Sequence, residues 1–197
     1  STFKKRWSIS TAGAGPCSPI LVEGSRPLES LVYLGGRDGS IRAYSAREGT
    51  ERWSFRARSS VMGGMALVDV TGNGVPDLIA VEDGGILHAL EGRTGQKLWG
   101  IDVRESLYAT PCSADLDADG TPEILLATQG SRGLCFSIEP TFERRAVHLG
   151  SQAGGGVLQA DLDRNGLPEI VVGDESGILT AYEVATERTL WRVRTGG

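Results

Sequence analysis

The sequence repeats itself every 46 residues, and this period constrains the fold more than any other feature. Trp7, Trp53 and Trp99 are spaced 46 residues apart, and Trp191 lies two periods further on, with Arg145 at the intervening position. A repeat of this length is one supersecondary unit that buries its apolar face only against neighbouring copies. The sequence therefore predicts an array of four stacked repeats, and the recurring tryptophans are predicted to pack between them.

Each repeat contains four short apolar runs separated by turn signals, which predicts four strands. The second run is nearly all apolar, as in LIAV at 78–81, which indicates a sheet covered on both faces. Four strands at a period in the forties are typical of a propeller blade. We therefore predict an all-β fold, a β-propeller of four four-stranded blades at about 11–57, 58–103, 104–149 and 150–196. The strands of the third blade are expected at 107–114, 123–128, 133–138 and 144–149.

The first ten residues do not fit into these four blades. Trp7 takes the register of an outer-strand tryptophan, yet no inner strands precede it, so 1–10 is predicted to be an extra outer strand. Five outer strands for four blades favour an open arc, or half of a ring completed by a second copy of the chain or by additional blades. A closed four-bladed ring is the alternative.

Three repeats carry an acidic loop between their first and second strands. Ca²⁺ binds six to eight oxygen atoms, and oxygen-bearing side chains at alternate positions of a loop turn several of them toward one centre. The predicted calcium ligands, with Thr121, Leu167 and Val75 contributing backbone carbonyls, are Asp115, Asp117, Asp119, Thr121 and Glu123 in the third repeat, Asp161, Asp163, Asn165, Leu167 and Glu169 in the fourth, and Asp69, Thr71, Asn73, Val75 and Asp77 in the second.

The three loops differ in charge, so we expect them to differ in calcium affinity. The third loop carries four carboxylates, the fourth three and the second two, which makes the second the weakest. In the first repeat the pattern is broken, and no ion is expected there; the corresponding residues are Glu23, Ser25, Pro27 and Leu31. The alternative is that all three loops are only turns in which aspartate accepts hydrogen bonds from its own backbone.

Two kinds of known repeat are similar to these segments. The sequences ADLDADGTPEI at 114–124 and ADLDRNGLPEI at 160–170 resemble the FG-GAP and VCBS repeats of integrin α-subunit propellers. The sequence GILHALEGRTGQKLW at 85–99, and GSIRAY at 39–44 with GTERW at 49–53, resemble the tryptophan-docking repeats of PQQ-type propellers. The resemblance implies a non-catalytic, calcium-stabilised propeller with a protein partner, used as a rigid interaction, adhesion or scaffold module as in integrin-type and outer-membrane-assembly propellers.

The sequence offers little support for catalysis. His88 and His148 occupy different registers, and no serine, histidine and aspartate grouping follows from the repeat geometry. The chain also lacks the adjacent cysteine pair of PQQ enzymes; Cys17, Cys112 and Cys135 are expected to be small buried hydrophobes. We therefore predict no enzyme activity. Two alternatives remain: a piece of a larger secreted enzyme, of polysaccharide lyase or quinoprotein type, and a receptor or sensor ectodomain.

Charge and hydropathy restrict the partners and the compartment. A net charge of −5 disfavours nucleic acid. No run approaches the ~20 apolar residues that cross a bilayer, so no direct membrane insertion is expected. The N-terminal segment lacks the apolar stretch of a signal peptide, so any targeting sequence is expected to be absent or removed. Because calcium loops of this type need high calcium, we predict an exported protein, extracellular or periplasmic.

Overall fold

Short runs rich in aliphatic residues, each bounded by a turn, form the strands of a computed structural model of this chain. The structure describes residues 6–11, 18–24, 29–107, 109–116, 118–128, 132–136, 144–148, 153–184, 186 and 188–196. Side chains are described for all of these except 132–136, 144–148 and 153–155. Within these ranges the secondary structure is all β, and no helix is long and apolar enough to cross a membrane.

Sixteen strands lie in the described residues, and they fall into four groups of four. The first two groups are β1 (Ile20–Val22), β2 (Leu31–Gly35), β3 (Ser40–Ser45), β4 (Glu51–Arg56), β5 (Met65–Val68), β6 (Asp77–Glu82), β7 (Ile86–Leu90) and β8 (Lys97–Asp102). The last two are β9 (Cys112–Ala114), β10 (Glu123–Ala127), β11 (Arg132–Phe136), β12 (Arg144–His148), β13 (Ala153–Ala160), β14 (Glu169–Asp174), β15 (Ile178–Glu183) and β16 (Arg188–Arg194).

Each group forms its own antiparallel sheet, in which the strands follow one another in chain order. In blades 1, 2 and 4 the hairpin between the second and third strands turns on a glycine with positive φ, at 79° for Gly39, 84° for Gly85 and 74° for Gly177. Each sheet lies within one 46-residue repeat, and successive sheets pack face to face. The predicted β-propeller fold is confirmed, and we number its blades 1 to 4 in chain order.

Three apolar clusters hold the four blades together, one between each successive pair. The cluster between blades 1 and 2 includes Tyr33, Ile41 and Leu78, and the next includes Ile79, Leu87 and Ile124. Every residue of β6 is buried, because its alternate side chains enter the clusters on its two sides. Burying one such aliphatic side chain stabilises the fold by about 1.5–3 kcal/mol.

Tryptophans on outer strands dock onto the following blade. Trp53 on β4 is 8% exposed, and its indole Nε1 donates a hydrogen bond to the carbonyl of Gly92, in the β7–β8 turn, at 2.9 Å. The hydroxyl of Tyr33 donates to the same carbonyl at 3.0 Å. A β-carbon on Gly95, whose φ is +70°, would lie 2.4 Å from the Trp53 ring, so the indole lies directly on this turn.

Trp7 docks in the same way at the start of the array. Its Nε1 donates to the carbonyl of Ala46 at 3.0 Å, and its ring lies under Gly49, which has a φ of +73°. Both tryptophans donate to a residue 39 positions further on, in the turn between the third and fourth strands of a blade. The prediction that tryptophans pack between repeats is confirmed for Trp53, whereas the side chain of Arg145 lies outside the described residues.

The sequence misplaced one strand and predicted another that the described residues do not contain. Residues 6–10, the described part of the predicted outer strand at 1–10, form no strand, and Trp7 keeps its register through its docked side chain. In blade 3 the first strand begins at Cys112 and not at residue 107. Leu107 is fully buried between blades 2 and 3. It is apolar because it packs in this interface, although it belongs to no strand.

The predicted burial of cysteines is met in part. Cys112 is a free thiol, half-buried between blades 3 and 4, and burial raises its pKa to about 11. Such a thiol is poorly reactive at neutral pH, because the thiolate is the nucleophile. Cys17 and the side chain of Cys135 lie outside the described residues.

Candidate metal centre in the acidic loops

The three acidic loops share one backbone conformation. Their fourth and sixth positions are left-handed; the φ values are 66° and 79° at Gly72 and Gly74, 60° and 88° at Ala118 and Gly120, and 63° and 91° at Arg164 and Gly166. Two left-handed residues one position apart curl the chain tightly, which brings the side chains of alternate residues to the inside. The turn that we predicted at Gly120 is therefore present, and it recurs in all three loops.

The first aspartate of each loop accepts hydrogen bonds from the loop backbone. Asp161 accepts from the amide nitrogens of Asn165 and Gly166, both at 3.1 Å. Asp69 accepts from Asn73 at 3.1 Å and Gly74 at 2.7 Å, and Asp115 from Gly120 at 3.0 Å. The hydrogen bonds of the alternative interpretation, in which each aspartate accepts from its own loop backbone, are therefore present.

The side chain at the fifth position completes the turn. Asn73, Asp119 and Asn165 each accept a hydrogen bond from the amide two residues later, at 2.7 to 2.8 Å. The donating amides belong to the residues that were predicted to give backbone carbonyls to the ion, Val75, Thr121 and Leu167. Asp117 lies outside the described residues, as do Ser25 and Pro27 of the broken first loop.

The carboxylate at the ninth position closes each loop from the following strand. One oxygen of Asp77, Glu123 and Glu169 accepts from the amide of the second loop residue, at 3.1, 2.9 and 2.7 Å respectively. Asp77 and Glu169 are both fully buried. A buried carboxylate is costly unless its oxygens find donors or a cation, so the second oxygen of each side chain decides what the loop can bind.

In the fourth loop that second oxygen has no partner among the described residues. Glu169 Oε1 is buried and accepts no hydrogen bond from them, and one carboxylate oxygen each of Glu169, Asp161 and Asp163 lie within 4.8 Å of one another. In the third loop Asp115 Oδ1 is likewise buried, and no residue that the structure describes donates to it. Such a group of carboxylate oxygens is the hard, anionic ligand set that Ca²⁺ prefers, although both oxygens of Asp161 already accept hydrogen bonds from the loop backbone.

The second loop differs, because protein donors already satisfy both oxygens of Asp77. Its Oδ1 accepts from the amide of Gly92 at 3.1 Å, and its Oδ2 accepts from Val70 and Thr71, whose hydroxyl also donates at 3.2 Å. Burial raises the pKa of Asp77, against the lowering effect of these hydrogen bonds. The loop therefore closes around itself, and its carboxylate has little free capacity for a metal ion.

Sequence reasoning missed a buried polar pair in blade 2. His88 Nε2 lies 2.6 Å from Glu82, whose other oxygen accepts from the amide and hydroxyl of Ser59. Burial lowers the pKa of His88, although contact with Glu82 opposes this shift. Together with Ser59 the pair ties β6 and β7 to the segment before β5. No motif in the sequence marks these three residues, because they come from different strands and turns.

The left-handed fourth position of each loop provides a test of the loop conformation. Gly72→Ala is expected to lower the free energy of unfolding by about 1 kcal/mol, since a β-carbon disfavours this φ. A β-carbon there would have no neighbour within 4 Å, so backbone strain alone is measured. Ala118→Gly should shift stability the opposite way or not at all; urea unfolding of both variants checks this. A Gly72→Ala variant as stable as the parent would contradict the left-handed assignment.

Fold and docking together define the class of protein, a β-propeller built from PQQ-like repeats. The family model described as outer membrane protein assembly factor BamB matches residues 2–193, and the chain belongs to this family. The match supports the PQQ-like part of the sequence resemblance, whereas the FG-GAP and VCBS part finds no support in it.

Solved structures agree with this fold. BamB from Moraxella catarrhalis is 21% identical, with a TM-score of 0.61 over 82% of this chain and 45% of that one. The computationally designed Ika8 protein is 14% identical, with a TM-score of 0.58 over 89% of this chain and 48% of that one. The chain thus spans about half the length of these two proteins. No curated protein sequence matches it.

Proposed function

We propose that this chain is a non-catalytic, calcium-stabilised propeller that serves as a rigid protein-interaction or scaffold module of an exported protein. The family model that matches this chain is described as an outer membrane protein assembly factor, and a factor of this kind has other proteins as its partners. The observation that carries the calcium part is the unpartnered, fully buried oxygen of Glu169 beside Asp161 and Asp163. An extracellular or periplasmic location agrees with both parts, because these compartments supply calcium and contain the partners of such a factor.

The acidic loops would hold the ion on the side of each blade where the first strand turns into the second. In the fourth loop Asp161, Asp163 and Glu169 would provide carboxylate oxygens, and in the third Asp115 and Glu123 would do so at the same positions. A bound Ca²⁺ neutralises these carboxylates and ties β13 to β14, or β9 to β10. The role of the ion is therefore to stiffen the two blades, and the second loop achieves the same end with protein donors.

Calcium is expected to raise the melting temperature of the chain. A ligand that binds only the folded state stabilises it by about 1.4 kcal/mol per site at ten times its dissociation constant. Melts in millimolar calcium and in chelator measure this shift. Glu169→Gln should remove the contribution of the fourth loop, while Glu175→Gln, an exposed carboxylate on a turn of the same blade, should leave the shift unchanged.

This experiment tests calcium binding independently of the protein-interaction role. Coincident melting curves with calcium and with chelator, for a protein shown by elemental analysis to be metal-free, would refute calcium binding. An equal shift for the parent and Glu169→Gln would place the ion elsewhere. Neither result would bear on the interaction role.

The interaction role is tested in the native host. Photo-crosslinking residues placed on the exposed edges of blades 2 and 3 should yield discrete crosslinked proteins in the periplasmic or membrane fraction. Recovery of the protein only from the cytosol, or crosslinks that do not compete with excess purified chain, would contradict the proposal.

A further inference from the structure

One face of blade 4 is apolar and open to solvent. It is formed by Leu158, Leu162, Trp191 and Val193, which are 71%, 42%, 39% and 49% exposed, and we call it the trailing face. These are four of the six exposed large hydrophobic side chains in the described residues. The opposite face of the same sheet packs against blade 3 through Ile170, Val172 and Tyr182. An apolar patch of this kind marks an interaction site.

The matching positions in the other blades are blade-to-blade contacts. Two repeats earlier they are occupied by Ala66, Val70, Trp99 and Ile101, and all four pack against the cluster between blades 2 and 3. One repeat earlier Cys112 and Leu116 pack between blades 3 and 4. The trailing face therefore has the composition and register of an interface between blades, so the partner it fits is another blade of this repeat type.

The docking geometry specifies that partner more closely. Trp53 and Trp7 each require a turn that offers a backbone carbonyl and, three residues later, a glycine with φ near +70°. Trp191 has the same register, but its side chain is 39% exposed and meets no such turn among the described residues. At the other end of the array the turn of blade 1, Ala46 to Gly49, holds a tryptophan that belongs to no strand in the described residues.

We propose that the trailing face of blade 4 docks onto blade 1 of a second copy of this chain, where Trp191 takes the place of Trp7. Its indole donates to the carbonyl of Ala46 and lies under Gly49 of that copy. On the approaching side of blade 1, Leu21 is 53% exposed, while its neighbours Ile20 and Val22 face blade 2. When blade 4 of the second copy also docks onto blade 1 of the first, the two copies form a closed ring, the smallest closed form of a head-to-tail interface. Two copies together have about the length of the solved propellers, of which this chain covers 45% and 48%.

Sedimentation of the purified 197-residue chain over a wide concentration range tests this proposal. We expect a monomer–dimer equilibrium that Trp191→Ala weakens by roughly thirtyfold or more, as for a central interface tryptophan. Trp7→Ala should tighten the dimer by about tenfold, because it removes the side chain that competes for the Ala46 turn. Arg192→Ala, on the same strand as Trp191, is the control and should leave the equilibrium unchanged. Circular dichroism confirms that each variant is folded.

Three results would overturn the proposal. The first is a chain that stays monomeric at every concentration. The second is a Trp7→Ala variant that dimerises as weakly as Trp191→Ala, which would show a non-specific apolar contact. The third is a longer version of the protein, carrying further repeats, that is monomeric and shields Trp191 from quenchers, which would assign the trailing face to a blade of the same polypeptide. None of these results depends on calcium or on the interaction role.

Discussion

Trp53→Ala is expected to lower the free energy of unfolding by about 3–5 kcal/mol, the cost of deleting a large aromatic side chain from a core. Trp53 packs against Tyr33 with ring centroids 5.6 Å apart, fills the cluster between blades 1 and 2, and donates to Gly92. Its removal leaves a cavity at a blade interface and takes one donor from a buried carbonyl. Urea unfolding in the presence of chelator measures the loss.

The repeat itself supplies the control for this experiment. Trp191→Ala changes the same register position, but this side chain is 39% exposed, so in the monomer we expect a loss below about 1 kcal/mol. Trp53→Phe keeps most of the buried area and loses only the indole donor, at a cost of about 1 kcal/mol. Equal losses for the Trp53→Ala and Trp191→Ala variants would show that docking between blades does not stabilise the fold.

Asp77→Asn is expected to cost about 3 kcal/mol, although it changes only one atom of the side chain. The buried carboxylate accepts from Gly92 with one oxygen and from Val70 and Thr71 with the other. A carboxamide has one acceptor oxygen, so its NH₂ group must face backbone amides that also donate. At least one buried amide then loses its partner, which costs about 1–3 kcal/mol beyond the lost charged hydrogen bonds.

Asp102→Asn is the matched control for Asp77→Asn. Asp102 is exposed at the end of β8 and accepts one hydrogen bond, from the amide of Arg104 at 2.9 Å, which asparagine can still accept. Its expected effect is within about 0.5 kcal/mol. Both variants are compared by urea unfolding in chelator, so that no metal contributes. Similar values for the two would mean that Asp77 does not link its loop to the β7–β8 turn.

The repeat period allowed much of the fold to be predicted, because a fixed spacing places chemically similar residues in equivalent environments. It could not show that residues 6–10 form no strand, since Trp7 keeps its register through a side-chain contact alone. It also misplaced the first strand of blade 3. Leu107 is apolar because it plugs an interface, and such a residue extends an apolar run without pairing.

The candidate metal centre shows a similar limit. Alternating acidic residues predicted calcium sites in three loops, and in the fourth loop Asp161, Asp163 and Glu169 each have a carboxylate oxygen within 4.8 Å of the others. Calcium binding itself stays a prediction. Counting formal charges predicts that the second loop binds calcium most weakly, and the structure offers a separate reason to expect the same. The amide of Gly92, 15 residues from Asp77, occupies one of the carboxylate oxygens. Because this donor belongs to another hairpin, the residue spacing within the loop could not predict it.

The 39-residue step from each docked tryptophan to its carbonyl has a consequence for how the chain is made. A polypeptide emerges from the ribosome from its N-terminus, and domains begin to fold as they emerge. When β4 appears, the turn that receives Trp53 has not yet been synthesised, and it follows only with Gly92. The outer edge of blade 1 therefore stays open until most of blade 2 has been translated, so the docking of Trp53 lags its own synthesis by nearly one repeat.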